Sequence, residues 1–287
     1  MSKKNEPDVS ILIPTFNRAE YIQRAIDSAL SQTYRCEIIV CDHGSNDETQ
    51  EICLDYGDKI KYIRREEDYG IHFCELESML AAKGNYIHFC FDDDWMHPDF
   101  IRICMGLINK NVGIVYSNVQ LVNLKKCTKD DLIWSDDIAI KFKVFSSLFK
   151  IPHVMTNLIS PSAALVRKKD ALKCIYMTTN LVTKSFYNGV GPDWLITAMP
   201  LFRYKKCAYI STPLIKLGDH DSSITINAFS GNNQEKINKF RAAYNGARLY
   251  LIVSTIIRLL FIEEIYFQIE KLIRKVKSQI ENINMLS

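Results

Sequence analysis

The sequence predicts an α/β protein: a mostly parallel sheet flanked by helices, with a helical extension at the C-terminal end. Three observations predict it. Short apolar runs rich in β-branched residues alternate with amphipathic helical patterns over residues 9–91. Three of those runs end on polar or acidic clusters, at 15–17, 42–47 and 92–94. A long helical pattern occupies residues 234–283.

Residues 9–14 (VSILIP) read as a buried strand. Over 19–32, Ile22, Ala25, Ile26, Ala29 and Leu30 fall on one helix face. A second strand, 37–41 (EIIVC), ends at Asp42. A helix follows over 47–56, with Ser45 or Asn46 as its N-cap. Residues 59–64 give a third strand and 70–82 a third helix. The fourth strand, 86–91 (YIHFCF), runs into Asp92, Asp93 and Asp94. Alternation at this spacing implies parallel strands covered on both faces. Ligands of such sheets sit beyond the carboxyl ends of the strands, so the three polar clusters converge on one crevice.

The later elements are less regular. Pro98 opens a helix to about residue 108. Residues 112–122 form one strand or two, and 144–149 a short helix. A strand over 162–166 follows Pro161. A helix over 192–201 carries Asp193 in its first turn, and 209–217 is the last strand. The domain reading is one unit over 1–230, with halves 1–110 and 111–230, and a basic amphipathic tail over 231–287.

With 47% hydrophobic and 24% charged residues, disorder is excluded as the default. The net charge of +3 is uneven: residues 236–287 hold nine Lys/Arg and four Asp/Glu, which leaves the rest mildly acidic. That distribution argues against a nucleic-acid binder, which needs a broad basic footprint. It suits a tail that meets an anionic surface. The nine cysteines are scattered with no CxxC pair. They read as buried small hydrophobes in a reducing compartment, and no structural zinc site is expected. Residues 1–8 are polar and lack a secretory signal. The apolar run 249–262, broken by Arg258, is shorter than the roughly 20 residues of a membrane span. The expectation is a cytoplasmic protein, at most peripheral on the inner face of the membrane.

Three adjacent carboxylates at a strand end repel one another, and burying any of them is costly without a partner. A divalent cation relieves this, and Mn²⁺ or Mg²⁺ favours one or two carboxylates plus substrate phosphate oxygens. A solvated loop with a capping aspartate is the plainer alternative. Asp42 is placed to accept hydrogen bonds from a base or ribose, or to hold a turn. No GxGxxG follows the first strand and no GxxxxGK[ST] is present, so dinucleotide and P-loop readings are weak.

The segments VSILIPTFNRAEYIQRAIDSALSQTY, EIIVCDHGSNDET and KGNYIHFCFDDDWMHPDF resemble the family 2 inverting glycosyltransferases of the GT-A fold. Weaker matches continue at ISPSAALVRKKDAL and GVGPDWLITAMPLF. By this resemblance Pro14, Thr15 and Asn17 line the nucleotide pocket, and Asp42 binds the base, most often uracil. Asp92 faces the ribose, Asp93 ligates Mn²⁺ or Mg²⁺, and Asp94 supports the site. Asp193 is the general base, with a helix-dipole or capping carboxylate as the alternative. His220 meets the diphosphate or metal, or is a solvated loop histidine. The chain departs from the family at His43 and Phe91, where aspartates are common.

The implied reaction is transfer from a nucleotide sugar, UDP-linked by resemblance, to a glycan or lipid-linked glycan in bacterial surface-polysaccharide synthesis such as lipopolysaccharide or capsule. The alternatives are a catalytically impaired sugar-nucleotide or glycan-binding protein and a sugar nucleotidyltransferase. The latter normally shows a glycine-rich basic loop, where this chain has PTFNRAE. Leu249, Ile252, Val253, Ile256, Ile257, Leu260 and Phe261 recur at helical spacing near Arg248, Lys271, Arg274, Lys275 and Lys277. That tail either lies on a membrane or packs on its own core or a second subunit, as in a homo-oligomer.

Overall fold

The computed structural model describes residues 7–135, 139–147, 160–181, 192–220, 238, 242, 244–249 and 251–253. The chain divides into two compact units, Met1–Ala247 and Arg248–Ser287.

The first unit begins as the alternation predicts. Strand β1 (Val9–Thr15) leads to helix α1 (Ile22–Leu30), β2 (Glu37–Asp42), α2 (Thr49–Asp55), β3 (Lys61–Arg64), α3 (Ile71–Ala81) and β4 (Tyr86–Phe89). Then come β5 (Trp95–Met96), α4 (Phe100–Leu107), β6 (Val112–Asn123), α5 (Lys129–Leu132) and β7 (Phe142–Ser146). The last described elements are β8 (Ala164–Arg167), α6 (Lys168–Leu181), α7 (Pro192–Arg203) and β9 (Lys206–Asp219).

The nine strands form one sheet in the order β3-β2-β1-β4-β8-β6-β9-β5, with β7 against β9. Its first half is parallel throughout: β1 pairs with β2 and β4, and β2 with β3. Beyond β4 the sheet is mixed. β8 runs antiparallel to β4 and β6, while β6 and β9 run parallel over a long, bulged register. Ile22, Ala25, Ile26 and Ala29 bury the predicted face of α1 against Ile11, Ile13 and Val40 of the sheet. Each large side chain buried this way contributes ~1.5–3 kcal/mol. All nine cysteines are free, and Cys41, Cys53, Cys74, Cys90, Cys104, Cys174 and Cys207 are buried.

Two expectations are corrected. The helix expected over 144–149 is instead β7, whose Phe142–Ser146 pairs antiparallel with Lys206–Ile210. Phe-Lys-Val-Phe is rich in β-formers, and the exposed edge of β9 gave its backbone a partner that a short helix lacked. Helix α2 starts at Thr49, and neither Ser45 nor Asn46 caps it; Asp47 Oδ1 accepts the Thr49 N–H at 3.1 Å. Sequence patterning also passed over β5, α5 and α6.

Of the expected tail, residues 244–249 and 251–253 are helical. The apolar and basic positions from Ile256 onward lie outside the described residues. Among the described residues no helix is long and apolar enough to cross a membrane.

Candidate active site

The parallel register sets the site. Thr15 stands opposite Asp42, and the Cys90 N–H donates to Leu12 O at 2.9 Å, so β1, β2 and β4 end side by side. The loops that follow are tied to each other. The Asn17 N–H donates to Ser45 Oγ at 2.8 Å, and the Asn46 N–H to Asn17 Oδ1 at 2.8 Å. The Ala19 N–H donates to Asp47 Oδ2 at 3.0 Å. Asn17 takes a left-handed φ of 54°, which Asn tolerates better than most residues. Gly44 (φ 78°) lets this loop approach the Glu66 carbonyl, which a Cβ would meet at 2.8 Å.

Asp42 is fully buried and already engaged. Its Oδ1 accepts the Ser45 N–H (2.9 Å) and hydroxyl (2.6 Å), its Oδ2 accepts the Tyr62 hydroxyl (2.6 Å), and Arg64 Nε lies 3.9 Å away. Burial and the neighbouring Asp42 charge push the Tyr62 phenol up, so it is a donor at neutral pH. Tyr62 and Ser45 carried no sequence signal for this arrangement.

The acidic cluster sits one strand away. Arg18 Nε lies 3.5 Å from Asp92 Oδ1. The Arg24 guanidinium lies 4.2 Å from the Trp95 ring centroid and reaches Asp93 O at 3.5 Å. Burial, then the adjacent Asp93 charge, pushes the Asp92 carboxyl up to about 7. The same two causes, in that order, hold the buried Asp94 carboxyl well above the carboxylate range. Three carboxylates crowded here thus cannot all ionise cheaply, which is the condition that a divalent cation relieves.

Strand β9 brings a sequence-distant part of the chain to this cluster. β5 pairs antiparallel with β9 (Trp95↔Lys216, Met96↔Ile215), directly after Asp94. His220 follows β9, and its Nε2 lies 2.9 Å from Asp93 Oδ2. The Tyr21 ring packs on the His220 imidazole with centroids 4.5 Å apart. Gly218 makes the approach possible: its N–H donates to Asp94 Oδ1 at 3.2 Å, and a Cβ there would lie 2.4 Å from Asp93 O. Asp93 and His220 thus place one carboxylate and one imidazole within reach of a single ion, which would need further oxygen donors such as substrate phosphate to be held as Mn²⁺ or Mg²⁺.

Asp193 is half-buried in the first turn of α7, where its Oδ1 accepts the Trp194 N–H at 2.7 Å. The structure therefore brings Asp92, Asp93, Asp94 and His220 together, and sets Thr15, Asn17 and Asp42 beside them through the β1 and β2 loops. Pro14 stays in β1 opposite Cys41. Sequence reasoning missed Arg18, Tyr21 and Arg24, which lie in the NRAEYIQR segment, and Gly218, two residues before His220.

The Glycosyl transferase family 2 model matches residues 10–169. An uncharacterized glycosyltransferase of Rickettsia prowazekii is 38% identical over 163 residues, 53% of this chain and 50% of that protein. The chondroitin synthase of Pasteurella multocida is 38% identical over 122 residues, 41% of this chain and 13% of that one. The chain thus spans about half the length of the first relative and much less of the second. Among solved structures, Staphylococcus aureus TarS (residues 1–349) with UDP-GlcNAc superposes with a TM-score of 0.60 at 17% identity, covering 82% of this chain and 65% of that one. Mycobacterium tuberculosis glucosyl-3-phosphoglycerate synthase with Mn²⁺, UDP-glucose and phosphoglyceric acid superposes at 0.51 and 17%, covering 85% and 81%. These two likenesses are of fold, the GT-A arrangement. The family match covers more than half of the chain and includes the first three strand ends and the acidic cluster, so the chain belongs to glycosyl transferase family 2.

Proposed function

We infer that the chain transfers a sugar from a UDP-linked donor to a hydroxyl of a glycan or lipid-linked glycan, with inversion at the anomeric carbon. The observation that carries this reading is the meeting of Asp93 and His220, 2.9 Å apart, beside the raised carboxyls of Asp92 and Asp94. In this reading Asp93 and His220 hold Mn²⁺ or Mg²⁺, Asp94 supports them through Gly218, and Asp92 with Arg18 faces the ribose. Pro14, Thr15 and Asn17 line the nucleotide pocket. Asp42 acts on its base side, through the Ser45 and Tyr62 hydroxyls it holds. The bound cation supplies stabilisation for negative charge developing on the departing diphosphate. Asp193 takes the proton from the attacking acceptor hydroxyl, on the face opposite the diphosphate.

Support comes from the family membership and from the ligands of the two solved neighbours, UDP-GlcNAc in one and UDP-glucose with Mn²⁺ in the other. The chondroitin synthase relative favours a glycan acceptor and bacterial surface-polysaccharide synthesis. A tail on the inner face of the membrane fits a lipid-linked acceptor. The test is a panel of nucleotide sugars, each with Mn²⁺, Mg²⁺ or chelator, read by thermal shift and by release of nucleoside diphosphate. One UDP-sugar should both stabilise the protein and be turned over only with metal. Stabilisation with no turnover, with or without glycan acceptors, would make the chain a sugar-nucleotide binder.

A further inference from the structure

Cys41, His43 and Cys74 stand outside the machinery described above. Cys41 and His43 are two apart at the end of β2, so their side chains leave the strand on the face opposite Asp42. Helix α3 covers that face and carries Cys74, whose Sγ–H donates to Cys41 O at 2.9 Å. The two sulfurs and a His43 ring nitrogen all lie within 4.8 Å of one another, and all three residues are buried. His43 is 1% exposed, yet neither ring nitrogen makes a hydrogen bond of regular geometry. Its Nδ1 faces the Asp68 carboxylate at 3.5 Å. A buried imidazole without a hydrogen bond of regular geometry is costly, and here it lies beside two thiols.

We propose that Cys41 Sγ, His43 Nε2 and Cys74 Sγ bind zinc(II), at a site separate from the carboxylate site of Asp93. Two thiolates and an imidazole form a borderline-soft set that selects zinc over Mn²⁺ or Mg²⁺. Zinc binding replaces the two thiol protons, which leave to solvent. The resulting centre of one Zn²⁺, two thiolates and a neutral imidazole carries no net charge, so its burial adds little solvation cost. Asp68 then takes the Nδ1–H and orients the ring, as outer carboxylates do for zinc-bound histidines. The fourth position is left for water. The ion joins β2 to α3 directly behind Asp42. Its role is structural: it ties a strand end to the helix that covers it. The expectation of no structural zinc rested on sequence spacing, and here the ligands come from two elements joined only by folding.

The test uses the full chain, purified under reductant, stripped with chelator and titrated anaerobically with Co²⁺ and then Zn²⁺. One Co²⁺ per chain should give a sulfur-to-cobalt charge-transfer band in the near ultraviolet, which Zn²⁺ abolishes by displacement. Cys41→Ser and Cys74→Ser should each remove the band, and Asp93→Ala should keep it. His43→Gln should weaken zinc binding at least about tenfold. X-ray absorption on the zinc-loaded wild-type chain needs no variant and should count two sulfur neighbours. Absence of the band in a chain with all thiols titratable, its survival in both serine variants, or a zinc shell without sulfur would each overturn the site. So would a Cys41–Cys74 disulfide that persists under reductant.

Discussion

Replacing Gly218 by alanine tests whether the approach of β9 builds the acidic site. The added Cβ would lie 2.4 Å from Asp93 O and 2.9 Å from Leu124 Cδ1, whereas ordinary contacts begin at 3.4 Å. Relief therefore needs a shift of about 1 Å in the backbone of one partner, since Asp93 O cannot swing away as a side chain would. Both partners are held: the Gly218 N–H is bonded to Asp94 Oδ1, and Trp95 is paired with Lys216. Overpacking of this kind costs ~1–3 kcal/mol. For a chain of this size each kcal/mol lowers Tm by roughly 2–4 °C. The displaced strand also carries His220 away from Asp93, and a 1 Å misplacement of a functional group costs on the order of 100-fold in rate. The assay pairs thermal unfolding, with and without Mn²⁺, with metal-dependent release of UDP from a donor sugar. Gly106→Ala is the internal control, because Gly106 lies within α4 and a Cβ added there would meet nothing inside 4 Å; it should gain up to about 1 kcal/mol. Wild-type Tm and wild-type response to Mn²⁺ in Gly218→Ala would refute the argument that this contact sets the site.

Further outcomes are expected from the same geometry. Asp93→Ala should abolish metal-dependent donor binding; calorimetry showing wild-type UDP-sugar affinity with Mn²⁺ would remove Asp93 as a ligand. Asp193→Asn should lower kcat by roughly 100- to 10,000-fold with little change in donor affinity, and near-wild-type turnover would leave Asp193 as a helix-terminus carboxylate only. His88 is buried with its Nδ1 3.0 Å from Ala164 O, and burial lowers its pKa to about 4. Because its folded pKa lies below the unfolded value of about 6.5, its contribution is complete above pH ~6.5 and is lost as pH falls toward 4, about 3 kcal/mol in all. His88→Gln should therefore flatten stability against pH between those limits, and an unchanged slope would show that His88 is not the group responsible.

How much of this was legible in the sequence follows from the range of the interactions involved. Strands β1, β2 and β4 and helix α1 were readable because their signals are local. Apolar residues recur at the period of the element, and the polar clusters sit where each run stops. The helix expected over 144–149 failed because a short Val/Phe stretch takes whichever partner tertiary structure offers, and the edge of β9 offered a ladder. Ser45 reads as an N-cap by composition, but Asp42, three residues earlier, holds both its N–H and its hydroxyl. No local rule ranks those two uses.

The sequence by itself determined the α/β alternation, the parallel first half of the sheet, and the placing of Asp42 and Asp92–Asp94 at strand ends. Parallel pairing of buried apolar runs leaves no other position for residues that follow them. Only the tertiary structure decided which distant groups those carboxylates meet. His220 reaches Asp93 across 127 positions because β5 pairs with β9 and Gly218 carries no side chain. Cys41, His43 and Cys74 meet because α3 covers the back of β2. Contacts between separate elements depend on register and close approach, and these are properties of the packed sheet, not of any single stretch of chain.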